Sequence, residues 1–176
     1  MYSKNPLCFR AALREFNVRR DVIITPDTVL CGRPVRRLTL RHWCLLEAAE
    51  SPFLACYDRT PNLDDIAHFL WVVSTRFRPH APFRRWRFAR GCRRLDCGPA
   101  VVAIRRFMTD ALQDEPPVFP PPPPGSRQLS FPEQVLLGMA RVSPGIDLRE
   151  VVDMPLAQIF MFMEIARRAG KTTNSE

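Results

Sequence analysis

Residues 60–74 read TPNLDDIAHFLWVVS, and the fold class turns on how this stretch is taken. Thr60-Pro61 closes off what precedes it. Asn62 offers a side-chain oxygen to the unpaired N–H groups of a helix start, and Asp64 and Asp65 fall in the first turn, where the helix dipole favours anions. From Ile66 to Ser74 the chain is almost wholly apolar. Ile66, Leu70 and Val73 form one stripe at helical spacing, while Phe69 and Val72 lie outside it. A helix that is apolar beyond one stripe is buried on more than one side. The segment therefore predicts an inner helix of an α-helical core.

The neighbouring stretches extend the same pattern. Upstream, Thr39 reads as the cap of a helix from Leu40 to Glu50, ended by Ser51-Pro52 because the residue before proline avoids the helical region. Downstream, Pro79 and Pro82 break the chain, and helical spacing returns from Phe83 to Leu95. There Phe88, Cys92 and Leu95 share one face and Arg87, Arg90 and Arg94 the other. Gly98-Pro99 separates this helix from another, Ala100 to Leu112. The prolines at 116, 117 and 120–124 predict an extended polyproline spacer. Ser130 and Glu133 have capping-box spacing with Pro132 in the first turn, opening a helix to about Ala140. Asp147 caps a short helix through Val152. Met154-Pro155 opens a last helix, which Gly170 ends. At the other end, Asn5-Pro6 opens a helix through Phe16, residues 21–25 (DVIIT) are strand-like, and Pro26 and Gly32-Arg33-Pro34 are breaks.

The organisation expected is an irregular segment (1–37), a helical core containing the arginine-rich helix (38–113), a proline-rich linker (114–128), a C-terminal helical segment (129–170) and a flexible tail (171–176). This is an all-α fold: a small helical domain of about six to seven helices, with a proline-rich spacer before a C-terminal helical subdomain.

Composition narrows the function classes. The chain has 176 residues, 46% of them apolar, enough for a core without covalent staples. Six cysteines would suit a disulfide framework in a secreted protein, but residues 1–10 hold no apolar signal core and no run approaches the roughly 20 apolar residues of a membrane span. The thiols are accordingly expected to be reduced, cytoplasmic and mostly buried, with no membrane partner. His42, His68 and His80 have no paired ligand spacing with the cysteines, so no metal is expected. There is no GxSxG elbow, no HExxH and no glycine-rich phosphate loop. Asp64 and Asp65 diverge around their helix. The reading is of a protein that is not an enzyme and takes no cofactor.

Two features point to partners. The net charge of +8 is local: ten arginines against the single acid Asp96 lie between Arg76 and Arg106. Arg84, Arg87, Arg90 and Arg94, with Phe83 and Trp86 among them, are candidate contacts. A solvated face, an acidic protein partner and weak, non-specific nucleic-acid binding all remain open. The last helix carries two apolar stripes: Leu156, Ile159, Phe160 and Met163 for the protein's own core, then Met161 and Ile165 with Phe162 beside them. The second stripe is either buried in its turn, in a helix covered on both sides, or the candidate apolar surface for a partner; an oligomer is left open.

Two blocks add a resemblance. Residues 38–43 (LTLRHW), Leu46-Glu47 and residues 51–54 (SPFL) form the first. Residues 63–65 (LDD), 69–71 (FLW) and Ser74 form the second. Residues 153–156 (DMPL) open a helix in a matching way. Together these cover about half of the chain and resemble a recurring block in small bacteriophage proteins encoded among tail genes, similar to tail assembly chaperones. The arginine-rich segment and the proline run lie outside the match. The resemblance implies a non-catalytic phage assembly factor acting in the host cytoplasm, with a helical client such as the tape measure protein. The alternative, from the arginines, is a basic nucleic-acid-binding protein such as a DNA-packaging component.

Overall fold

The computed structural model describes residues 28–54, 59–75, 77–78, 81–112 and 127–172. Among them are seven helices and one small hairpin: β1 (Thr28–Leu30), β2 (Arg33–Val35), α1 (Leu40–Ala48), α2 (Leu63–Val73), α3 (Pro82–Cys92), α4 (Cys97–Leu112), α5 (Phe131–Val142), α6 (Leu148–Asp153) and α7 (Leu156–Thr172). The expected mainly helical class is the one found. The helix and strand expected before residue 28, and nearly all of the proline spacer, lie outside the described residues.

The hairpin stands where the sequence reads as a break. Cys31 (φ 50°) and Gly32 (φ 72°) both take positive φ, the signature of a two-residue turn whose twist matches antiparallel strands. Pro34 is tolerated in β2 because it pairs with Val29, one step from the hydrogen-bonded Leu30–Arg33 pair beside the turn. Its missing N–H therefore points away from β1. That outer edge is used elsewhere. Pro34 O accepts from Thr75 N at 3.4 Å and Arg36 N donates to Val73 O at 2.7 Å, which fastens the hairpin to the end of α2.

The capping residues act as their chemistry dictates. Asn62 accepts from the N–H groups of Asp64 (2.9 Å) and Asp65 (3.0 Å), and the Asp65 carboxylate in turn accepts from Asn62 N (2.9 Å) while Arg59 donates to both of its oxygens at 2.7 Å. In α2, Ile66, Ala67 and Phe69 to Val73 are all buried, as its composition requires. Thr39 caps α1 with an unusual partner, because His42 takes the place normally held by Glu or Gln. His42 Nδ1 accepts from Thr39 N at 3.2 Å, and Thr39 Oγ1 accepts from His42 N at 3.3 Å.

Several helix ends differ from the expectation. α1 stops at Ala48, two residues short of Glu50, because Glu50 turns left-handed (φ 49°). Ser51 N then bonds Leu46 O and Glu50 N bonds Glu47 O, both at 2.9 Å, which is the Schellman closure normally built on glycine. α3 ends at Cys92, so Arg94 sits in the following turn and not on the helix. Gly98-Pro99 is not a separator. It forms the first turn of α4, where proline's missing N–H costs nothing. α7 runs through Gly170, since a glycine weakens a helix but ends it only where the backbone turns left-handed.

One apolar core joins all of this. Phe69, Leu70 and Ile66 of α2 share it with Leu40 and Leu46 of α1, Ile104 of α4, Met139 of α5, and Leu156 and Ile159 of α7. The C-terminal helices close onto the same core as the rest. Leu156 N bonds Leu38 O at 2.8 Å, the Phe131 and Trp43 rings lie 4.2 Å apart, and Arg41 holds Asp153 through two bonds of 2.5 and 2.9 Å. The first stripe of α7 is core, with Met163 packed at its margin.

Candidate protein-binding face

α3 begins from local sequence that dictates its start and its sidedness. Pro82 occupies the first turn, and the apolar positions Phe88 and Cys92 recur four apart. Cys92 is fully buried, and Phe88 lies 5.4 Å from the ring of Trp71 on α2. The opposite side of the helix is turned to solvent. Phe83 is 66% exposed and Trp86 54%, both unusually high for rings of this size. Their planes lie 25° apart with centroids at 6.0 Å. The guanidinium of Arg87 lies 6.0 Å from the Phe83 centroid, and that of Arg90 lies 5.6 Å from the Trp86 centroid. The four residues follow i, i+3, i+4, i+7 spacing and so form one ridge along the helix.

The surroundings of the ridge are basic. Arg84, Arg85, Arg93 and Arg94 are exposed as well. Among the described residues no ion pair involves Arg84, Arg87, Arg90 or Arg94. Arg85 donates to His68 Nδ1 at 3.1 Å, and burial, followed by the charge of Arg85, holds the His68 pKa below its ordinary value. The first turn of α3 has no acid, so Arg84 and Arg85 stand at the end of the helix whose dipole disfavours cations.

Sequence reasoning missed one member of this surface. Arg33 reaches across from β2 and lies 4.5 Å over the Phe88 ring. Gly91 makes room for it: a Cβ there would come within 3.1 Å of Arg33 Nη2. This meeting depends on the hairpin, which the sequence does not reveal.

The candidate residues on α7 are placed differently. Met161, Phe162 and Ile165 are half-buried, and Phe162 packs against the core. At about 100° per residue, Phe162 lies near enough to Ile159 on the helix to reach that core with part of its ring. The expectation of mostly buried thiols needs correction. Of the four cysteines among the described residues, Cys92 is buried and Cys31 half-buried, while Cys44 and Cys97 are exposed; none forms a disulfide. The apolar stripe pattern assigns Cys92 to the interior but carries no comparable constraint for Cys44 or Cys97. Among the described residues no group of three or more His, Cys, Asp or Glu could hold a metal, and no helix is long and apolar enough to cross a membrane.

No protein-family model, curated protein or solved structure matches the chain.

Proposed function

We propose that this chain is a non-catalytic assembly factor that holds another protein, with α3 as its working surface. The observation that carries the reading is the ridge of Phe83, Trp86, Arg87 and Arg90. Tryptophan and arginine are the residues most often found to dominate binding energy at protein interfaces, and here they are exposed together on a rigid helix. The resemblance to tail assembly chaperones supplies the client class: a helical phage tail protein such as the tape measure protein, met in the bacterial cytoplasm. The test is co-expression of the full chain with a candidate client from the same phage, followed by co-purification. The double substitution Phe83→Ala with Trp86→Ala should abolish recovery of the client while the circular dichroism of the free protein stays unchanged. Equal recovery with the double variant would remove α3 from the interface.

A second reading has its own support. Six arginines, at 84, 85, 87, 90, 93 and 94, are exposed on α3 and the turn that follows it, a local density of basic charge of the kind that attracts a nucleic acid. On this reading the protein is a DNA-packaging component. Its affinity for duplex DNA would then fall with salt at a log–log slope of about −0.9 for each phosphate neutralised. A slope near zero would dismiss it.

A further inference from the structure

We infer that the α3 ridge takes an acidic amphipathic helix, with carboxylates three to four residues apart and apolar side chains between them. The inference rests on the proposed role of α3 and specifies its partner. Charge complementarity gives the sign. The exposed charged residues of the ridge and its flanks on α3 are all arginines, with no acid on the helix, so a matching surface carries carboxylates.

Geometry favours protein over nucleic acid. The guanidiniums of Arg87 and Arg90 lie over the Phe83 and Trp86 rings at 6.0 and 5.6 Å. Held this way, a guanidinium keeps its planar N–H edge available for a carboxylate and loses less freedom on binding than a loose side chain. The same arrangement covers part of the ring faces on which a nucleic-acid base would stack. The exposed parts of the two rings are best covered by the apolar side chains of a protein partner.

Register supplies the spacing. Arg87 and Arg90 are three residues apart, as are Phe83 and Trp86, which is a rise of about 4.5 Å. Carboxylates at i and i+3 or i+4 on a second helix span about 4.5 to 6 Å and so meet both guanidiniums at once. Arg84, on the shoulder of the ridge, and Arg33, held beside Gly91, extend the same basic surface on one side. A partner helix lying along α3 would meet them next.

The test uses the full chain and three fluorescently labelled probes at about 0.15 M salt. The first is a synthetic amphipathic peptide of leucine and glutamate with this spacing, the second its glutamine counterpart, and the third an oligothymidylate. The glutamate peptide should bind and quench or shift Trp86 emission, with the glutamine peptide at least about tenfold weaker. Arg87→Ala with Arg90→Ala should weaken binding by about tenfold or more per arginine. Arg87→Lys with Arg90→Lys keeps the charge but loses the planar fork, and should recover only part of the affinity. Circular dichroism of each variant should match the parent, since both positions are exposed. Equal binding of both peptides, tighter binding of the oligothymidylate, or no peptide binding at all would each overturn the inference. Client recovery that needs Phe83 and Trp86 but ignores Arg87 and Arg90 would sink the acidic helix and leave the assembly role intact.

Discussion

His42 should make the fold acid-labile well above the range in which carboxylates titrate. The residue is only 5% exposed, and its Nδ1 accepts from Thr39 N. Protonation would put a cation into this site and turn the acceptor into a donor facing another donor. Burial, and secondarily the charge of Arg36, lowers its pKa from 6.5 to about 4. Between those values the unfolded chain binds a proton that the folded chain refuses. The histidine's contribution is therefore complete above pH 6.5, falls as pH drops through 6.5, and levels off near pH 4. The gap corresponds to roughly 3 kcal/mol in total, of which about 2 kcal/mol is gone by pH 5. The carboxyls of Asp65, Glu133 and Asp153 are held below their ordinary values, so they remain ionised at pH 5 and their losses come at lower pH. Urea unfolding at pH 7.5 and 5.0 isolates the effect when His42→Gln is run beside the parent. Glutamine supplies the same acceptor to Thr39 without titrating. The parent should lose about 2 kcal/mol more than the variant over this interval. His68, also depressed, adds the same background to both proteins. Identical losses in parent and variant would show that His42 is not the proton-refusing group.

Two further outcomes follow from the backbone and the thiols. Glu50→Gly should stabilise the protein by about 0.5 to 1 kcal/mol, read from the urea midpoint, because it relieves a left-handed non-glycine residue inside an intact Schellman closure; a lower midpoint would mean that the Glu50 side chain contributes more than the strain removes. Pulse alkylation with peptide mapping should label Cys44 and Cys97 in the native protein and Cys92 only in denaturant, whereas rapid native labelling of Cys92 would contradict the packing of α3 on α2.

What the sequence disclosed is what short-range chemistry encodes. The Asn62, Ser130 and Asp147 helix starts were legible because a cap and its partner lie within three residues of each other. The burial of α2 was legible because no polar face interrupts its body. The hairpin was not, since its turn places a cysteine at positive φ and its second strand contains a proline. The end of α1 was hidden because glutamate does a glycine's work at residue 50. Arg33 joins the basic surface across 50 residues of chain or more, so no local pattern could associate it with Phe88. On α7 the spacing picked out the core positions Leu156 and Ile159. It could not show that the second stripe is half-buried, because that depends on which elements lie beside it.

The two sides of α3 differ in what they contribute to stability. The helix is held by its inner side, where Phe88 meets Trp71 and Cys92 is sealed in the core. Its outer side works mildly against it. Arginines in the first turn oppose the dipole, and like charges three and four residues apart cost a few tenths of a kcal/mol per pair. Two exposed rings gain little by facing water. Alanine or glutamate at positions 83, 84, 86, 87 and 90 would leave the inner contacts untouched and relieve the repulsion. The ring and guanidinium contacts on this side return only part of that cost, and an oppositely charged partner with apolar side chains would remove the rest: it would neutralise the arginines and cover the rings.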